Sequence, residues 1–263
     1  MSDGTRVIQR HQPQGVPALE MTGERTLPDV PQENYWYQRH LAVYQWVATR
    51  VRGRRVIDMA CGEGYGANLM AAEATSVVGV DANPEAFEHA RLKYTRGDLT
   101  FVRELIEDYN EPADTLVFLQ TIEHVREPGA LLEHFLRLIP EDSGELIFST
   151  PNVLTLAAPG HEQSDNPWHT KEYRPEEFKT LLQTHAQHIE LYGLFNAGKL
   201  AIHQAITDRL GLPHGAMHRH TGWAGLVYPA FTRRITVRDF TLRRTPRMDE
   251  LADALDVVAV IRR

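Results

Sequence analysis

Short, almost continuously apolar runs recur between residues 54 and 152: RRVID, SVVGVD, LTFV, DTLVFLQ and GELIFST. Helical stretches such as PEAFEHARLKY and GALLEHFLRLI separate them. A strand that is apolar at successive positions is buried on both faces, so this alternation predicts an α/β fold with a parallel sheet covered by helices on either side. Pro175, suited to the first turn of a helix, predicts a helix through Phe178, Leu181 and Leu182. HIELYGLF and DVVAVIRR predict two later strands.

The pattern weakens at both flanks of this core. Residues 1 to 31 hold Pro13, Pro17, Pro28 and Pro31 and show no sustained period, which predicts an arm that is flexible at its start. From Asn34, NYWYQRHLAVYQWVATRV places Tyr37, Leu41, Tyr44 and Val47 on one helical face. Residues 196–250 are rich in His, Gly and Arg with weak periodicity, and are expected to form an insertion that covers a substrate. The expected divisions are an arm and lid helix at 1–53, a core at 54–195, the insertion at 196–250 and a final core strand at 251–263.

Composition narrows the partners. The chain has 263 residues, 42% hydrophobic and 24% charged, enough for one large core. No apolar run approaches the roughly 18 residues that span a bilayer, and MSDGTRVIQRHQPQ lacks the pattern of a signal peptide, so no membrane insertion and a cytoplasmic location are expected. Cys61 is the single cysteine, which excludes an internal disulfide and a zinc site built from several thiolates. With 35 acidic against 28 basic residues the net charge is −7, which argues against broad capture of nucleic acid and for a small or neutral substrate.

The candidate chemistry starts in VIDMACGEGYGANLMA, where Gly62, Gly64 and Gly66 lie between a strand and a helix. Glycines there let an elongated ligand approach the backbone and the helix N-terminus, although a tight βα turn needs glycine in any case. Asp81 ends the next strand, about 20 residues on, where a carboxylate can accept both ribose hydroxyls. The run DMACGEGYG followed by GVDANPEAFEHAR resembles the shared motif of the class I S-adenosylmethionine-dependent methyltransferases, over roughly residues 54 to 195. The resemblance implies a Rossmann-like, seven-stranded, mostly parallel sheet whose last strand, DVVAVIRR, is antiparallel. It implies S-adenosylmethionine as cofactor, with Asp58, Ala60, Gly62 and Gly64 along the methionine portion, Asp81 on the ribose and Ala82 beside the adenine. Leu105 and Ile106 occupy the slots where the family often has an Asp-Ala pair, leaving the Ile106 backbone to serve the adenine. Cys61 reads as a structural or cofactor-edge thiol, and Arg39 as a partner for the methionine carboxylate.

DTLVFLQTIEHVREP sets Gln120, Thr121, Glu123 and His124 just after the fourth strand, at the edge where open α/β sheets bind ligands. STPN, Ser149 to Asn152, ends the fifth strand on that edge, and NPWHTKEYRPEEF adds His169. These pieces resemble the metal-dependent O-methyltransferases of ubiquinone synthesis and of small-RNA 2′-O-methylation, with Gln120 replacing the first carboxylate of their E-x-x-E-H pattern. The resemblance implies magnesium or manganese on Glu123, His124 and His169, where an ion would lower the pKa of an acceptor hydroxyl. His124 or His169 as general base is the other reading, and a mere cap with a surface histidine is the third.

MTGER, with Glu24 and Arg25, is similar to a segment of enzymes that act on bacterial glycans. Tyr35, Trp36 and Tyr37 either pack in the core or cover the cofactor, with Arg39 and His40 close behind. His214, His218 and His220 read as solvated or substrate-facing. The expected activity is O-methylation of a sugar or oligosaccharide hydroxyl by a homodimer with no nucleic-acid partner. A phenolic or quinone-like acceptor, RNA, and a noncatalytic cofactor-binding module are the rivals.

Overall fold

The computed structural model describes residues 5–158, 160–210 and 230–262. An N-terminal ribbon pairs β1 (Arg6–Val7) with β2 (Leu19–Glu20), and Leu19, Leu27 and Val30 form a small cluster of their own. Helix α1 (Asn34–Arg50) leads into β3 (Arg55–Met59), α2 (Tyr65–Ala71), β4 (Ser76–Val80), α3 (Pro84–Lys93), β5 (Leu99–Val102) and β6 (Thr115–Leu119). Then follow α4 (Pro128–Leu138), β7 (Glu145–Pro151), α5 (Val153–Leu156), α6 (Pro175–Gln183), β8 (His188–Asn196), α7 (Gly198–Arg209), β9 (Phe240–Arg244) and β10 (Asp256–Arg262).

The main sheet runs β5-β4-β3-β6-β7-β10-β8-β9. From β3 the chain winds outward to β5, then returns to place β6 on the other side of β3, so the strand order reverses between β3 and β6. The carboxyl ends at such a reversal diverge and leave a crevice, the usual ligand site of a doubly wound sheet. Ala60 (φ 56°) and Gln120 (φ 51°), the residues just after these two strands, hold left-handed conformations that L residues seldom adopt. At Gly64 (φ 93°) a Cβ would lie 2.9 Å from Ala90 Cβ and 3.0 Å from the Phe101 ring, so the start of α2 admits only glycine. The Asn83 side chain caps α3 by accepting from the Glu85 and Ala86 N–H groups, with Pro84 in the first turn.

The Rossmann-like α/β architecture stands, and β10 is antiparallel to both of its neighbours as expected. Among the described residues the sheet nevertheless has eight strands, not seven. The extra edge strand, β9, comes from the 196–250 segment and pairs antiparallel with β8. Its FTLRR sequence offers two apolar side chains to one face, and Phe240 packs beside Tyr35 at 5.8 Å between ring centroids. An edge strand needs only that much burial, too little to stand out as a period. The segment thus extends the sheet through β9 and adds the helix α7.

From Thr5 onward the arm is strapped to α3. His89 Nδ1–H donates to the Pro17 carbonyl at 2.7 Å, and Lys93 bridges Gln9 and the buried Glu63 of the glycine turn. No helix among the described residues is long and apolar enough to cross a membrane.

Candidate active site

A groove of about 880 Å³ opens over the carboxyl ends of β3, β4 and β6. Ala60, Cys61 and Gly62 line it after β3, Asp81 and Ala82 after β4, and Gln120 after β6, with Leu105 and Ile106 beyond. Asp81 accepts from the Gly62 N–H at 2.8 Å and the Asn83 N–H at 2.9 Å. Burial raises its pKa, and these two bonds oppose the rise. The Cys61 thiol is also pushed up by burial, and is thus held inert.

Three sequence-based assignments change. Arg39 does not reach the groove: its Nε and Nη2 donate to Asp256 at 2.9 and 2.5 Å and Nη2 also to the Leu255 carbonyl at 2.6 Å. With 2% of its side chain exposed, it binds α1 to the start of β10, because a buried guanidinium must satisfy its donors inside the protein. Asp58 is absent from the groove lining; it is fully buried, accepts from Tyr44 Oη at 3.2 Å and is pushed up to about 8 by burial. Gly64 likewise lies behind the groove, as the packing glycine of α2. The aromatics of α1 divide: Tyr35 is core, Tyr37 packs edge-on to Tyr65, and Trp36 lines a second cavity.

That second cavity, about 310 Å³, shares a wall with the groove. Glu24, Arg25, Thr26, His40, Gln120 and His124 line both. Its own side is Trp36, Ser164, Asp165, Asn166 and His169. At the shared wall stands His124, with Glu123 and His169 beside it on the second cavity's side, each of the three offering a ligand atom within 4.8 Å of the others. Glu123 belongs to the single turn Ile122–His124 after β6, accepts from Thr150 Oγ1 at 3.2 Å, and is raised to about 8 by burial. Its backbone carbonyl accepts from the Thr170 N–H at 2.8 Å and the Lys171 N–H at 3.1 Å, which fastens the loop carrying His169 beside it.

Both imidazoles are oriented through one ring nitrogen. His124 Nδ1–H donates to the Trp168 carbonyl at 2.8 Å, and His169 Nδ1–H to Glu172 Oε1 at 2.6 Å. That fixes the tautomer and leaves each Nε2 with a lone pair; Asn166 donates to that of His169 at 3.0 Å. Burial lowers the pKa of His124, keeping it neutral and basic near pH 7. This donor set fits a divalent ion. Glu123 is a buried carboxyl with no compensating cation among the described residues, and two imidazoles anchored by a carbonyl and a carboxylate are the arrangement metal ligands need. Gln120 adds no charge; its amide donates to Ser149 Oγ at 3.0 Å. The sequence reading missed Glu172, Asn166 and Trp168. An acid three positions after His169 was the one signal on offer. His214, His218 and His220 lie outside the described residues.

Comparison with known proteins gives the family. Residues 35–199 match the family model of a methyltransferase domain. A Mycolicibacterium smegmatis protein named a probable S-adenosylmethionine-dependent methyltransferase is 34% identical over 254 residues, covering 92% of this chain and 95% of the relative. The ubiquinone biosynthesis O-methyltransferase of Vibrio cholerae is 33% identical over 106 residues, 38% of this chain and 43% of that one. Among solved structures, an S-adenosylmethionine-dependent methyltransferase from Thermotoga maritima superposes with a TM-score of 0.57 at 13% identity, covering 88% of this chain and 94% of its own, a likeness of fold.

Proposed function

The chain belongs to the class I S-adenosylmethionine-dependent methyltransferases, and from that premise we propose that it methylates a hydroxyl of a sugar or oligosaccharide in the cytoplasm. The observation that carries this reading is the Glu123, His124 and His169 cluster, which lines the second cavity and reaches the wall common to both cavities through His124. A methyl donor in the groove and an acceptor in the second cavity meet there. The second cavity joins one indole, Trp36, to the polar side chains of Glu24, Ser164, Asp165 and Asn166, which suits a ring with one apolar face and a hydroxyl rim.

In this reading Asp81 binds the ribose, the Gly62 backbone borders the methionine portion and the Ile106 backbone serves the adenine. S-Adenosylmethionine bound there would supply a methyl group on its sulfonium, to be taken up by an acceptor oxygen held in line with it, with S-adenosylhomocysteine as the leaving group. Positioning of the two reactants supplies much of the rate. The hydroxyl must also shed its proton. Glu123, His124 and His169 would hold magnesium or manganese, which supplies Lewis acidity that lowers the hydroxyl pKa. Without an ion, His124 Nε2 takes the proton directly, since its Nδ1 side is occupied by the Trp168 carbonyl.

A turnover screen that counts S-adenosylhomocysteine with mono- and oligosaccharides, phenols and RNA ends tests the acceptor class. Turnover confined to phenols would overturn the sugar reading. With the acceptor in hand, a chelator is expected to abolish turnover, and manganese to restore it, while affinity for S-adenosylhomocysteine holds. Full turnover in chelator would assign the proton to histidine alone.

A further inference from the structure

Arg39 is engaged by Asp256, which leaves the amino-acid end of the groove without the cation first assigned to it. Arg25 stands at that end. Its side chain is 10% exposed and makes no hydrogen bond among the described residues; its one ion pair among them, with Glu24, spans 3.7 Å, and Glu24 is itself 47% exposed. A largely buried side chain whose guanidinium donors have no protein acceptor gains when a ligand brings one.

The placement identifies the ligand group. A Cβ built on Gly62 would lie 3.8 Å from Arg25 Cβ, so the residue sits directly over the glycine turn, and its charge opposes the burial-driven rise of Asp81. The following residue, Thr26, is tied down by Tyr65 Oη at 3.0 Å and His40 Nδ1 at 3.3 Å. His40 supplies no charge there, because burial, reinforced by Arg39 and opposed by Asp256, lowers its pKa to about 4. With ribose at Asp81 and adenine toward Ile106, the part of the cofactor that extends back over Gly62 is its amino acid.

We propose that Arg25, from the arm, anchors the carboxylate of the cofactor's methionine portion. The inference rests on the groove being the S-adenosylmethionine site, and it makes the arm part of that site. The guanidinium fork matches a carboxylate at two points, which an ammonium cannot do. Arg25 also lines the second cavity, so an anionic acceptor is the competing occupant.

Calorimetric titration of the whole chain with two ligands separates the cases. S-Adenosylhomocysteine has the amino acid; 5′-methylthioadenosine keeps adenine, ribose and thioether but lacks it. Arg25→Ala is expected to weaken S-adenosylhomocysteine about ten- to a hundred-fold and leave methylthioadenosine within about two-fold, the scale of a lost charge-assisted pair. Arg25→Lys, which keeps the charge and loses the fork, should fall between. Retained methylthioadenosine binding shows that the variant is folded. Equal losses for both ligands would reduce Arg25 to shaping the groove, and no loss for either would assign it to the acceptor; both overturn the proposal. Failure of both ligands on the unaltered chain would instead overturn the reading of the groove, and the proposal with it.

Discussion

The groove and the second cavity meet at one wall but are assembled over different distances along the chain. Ala60, Cys61 and Gly62 follow β3 directly, and Asp81 closes on the Gly62 N–H from 19 positions away, within one βαβ unit. The second cavity joins segments that have nothing local in common. Trp168 Nε1 donates to the Thr22 carbonyl across 146 positions, His124 to the Trp168 carbonyl across 44, and Trp36 comes from α1. A site built within one turn is rigid and carries a motif. One built from an arm, a helix and a loop is set by tertiary contacts, and specificity accumulates in such loops.

The comparison is broken most severely at the shared wall. His124→Ala is expected to cut turnover by about 10² to 10⁴, the usual worth of a positioned acid–base or ligand group, while S-adenosylhomocysteine binds within about two-fold of the unaltered chain. Single-turnover rates and calorimetry on the same sample check both halves. A variant that retains full rate would detach the cluster from the chemistry.

Asp81→Ala strikes the groove alone. Loss of a charge-assisted, two-point contact to the ribose is expected to cost about 1.5 to 3 kcal/mol of cofactor affinity. Its carboxylate also organises the Gly62 and Asn83 N–H groups, so some of that loss comes through the turn. Asp81→Asn, whose single amide oxygen can still accept from one of the two N–H groups, should recover part of it. An Asp81→Ala variant that is folded and binds S-adenosylhomocysteine normally would remove Asp81 from the site.

What could be read from the sequence follows the same division. The strands β3, β6, β7 and β10 announce themselves because nearly every position is buried, and the glycine turn because Gly64 has no room for a Cβ. The two arginines show the opposite case. The sequence reading assigns Arg39 to the methionine carboxylate and gives Arg25 no such role, and only the buried carboxylate of Asp256, 217 positions from Arg39, shows that Arg39 is already satisfied. Asp58 is misplaced for a similar reason: alternation puts it at the end of a strand, but Tyr44 from α1 covers it. Glu172 orients His169 from a loop whose course no period reveals.

Asp58, buried behind the groove, carries a signature in pH. Burial lifts its pKa from the ordinary 3.8 to about 8, ahead of the lowering effect of the Tyr44 hydroxyl and the raising effect of Asp81. Below its ordinary value the acid is neutral in folded and unfolded chains alike and costs no stability. Between that value and about 8 the unfolded chain releases the proton while the folded chain keeps it, so stability falls as pH rises through this window. Asp58→Asn, neutral throughout, should show a flatter decline in denaturation midpoint between pH 5 and pH 8. An unchanged slope would mean that Asp58 is ionised in the fold.

The smallest effect is expected where the two far-apart segments of the second cavity are joined. Trp168→Phe keeps an aromatic ring over the loop and its backbone carbonyl for His124, but removes the N–H that holds the Thr22 carbonyl at 3.1 Å. Trp168 is 46% exposed, so water replaces much of that bond and the stability change should be within about 1 kcal/mol. Thr22 opens the run to Glu24, Arg25 and Thr26, which line both cavities; Thr26 stays tied to Tyr65 and His40, which holds the groove side, so the consequence is a looser acceptor wall. KM for the acceptor is then expected to rise a few-fold, about 1 kcal/mol or less, with kcat and S-adenosylhomocysteine affinity nearly unchanged. If cofactor affinity falls in step with KM, the arm is a single rigid cover for both cavities, and their separation into a local site and an assembled one fails at the arm.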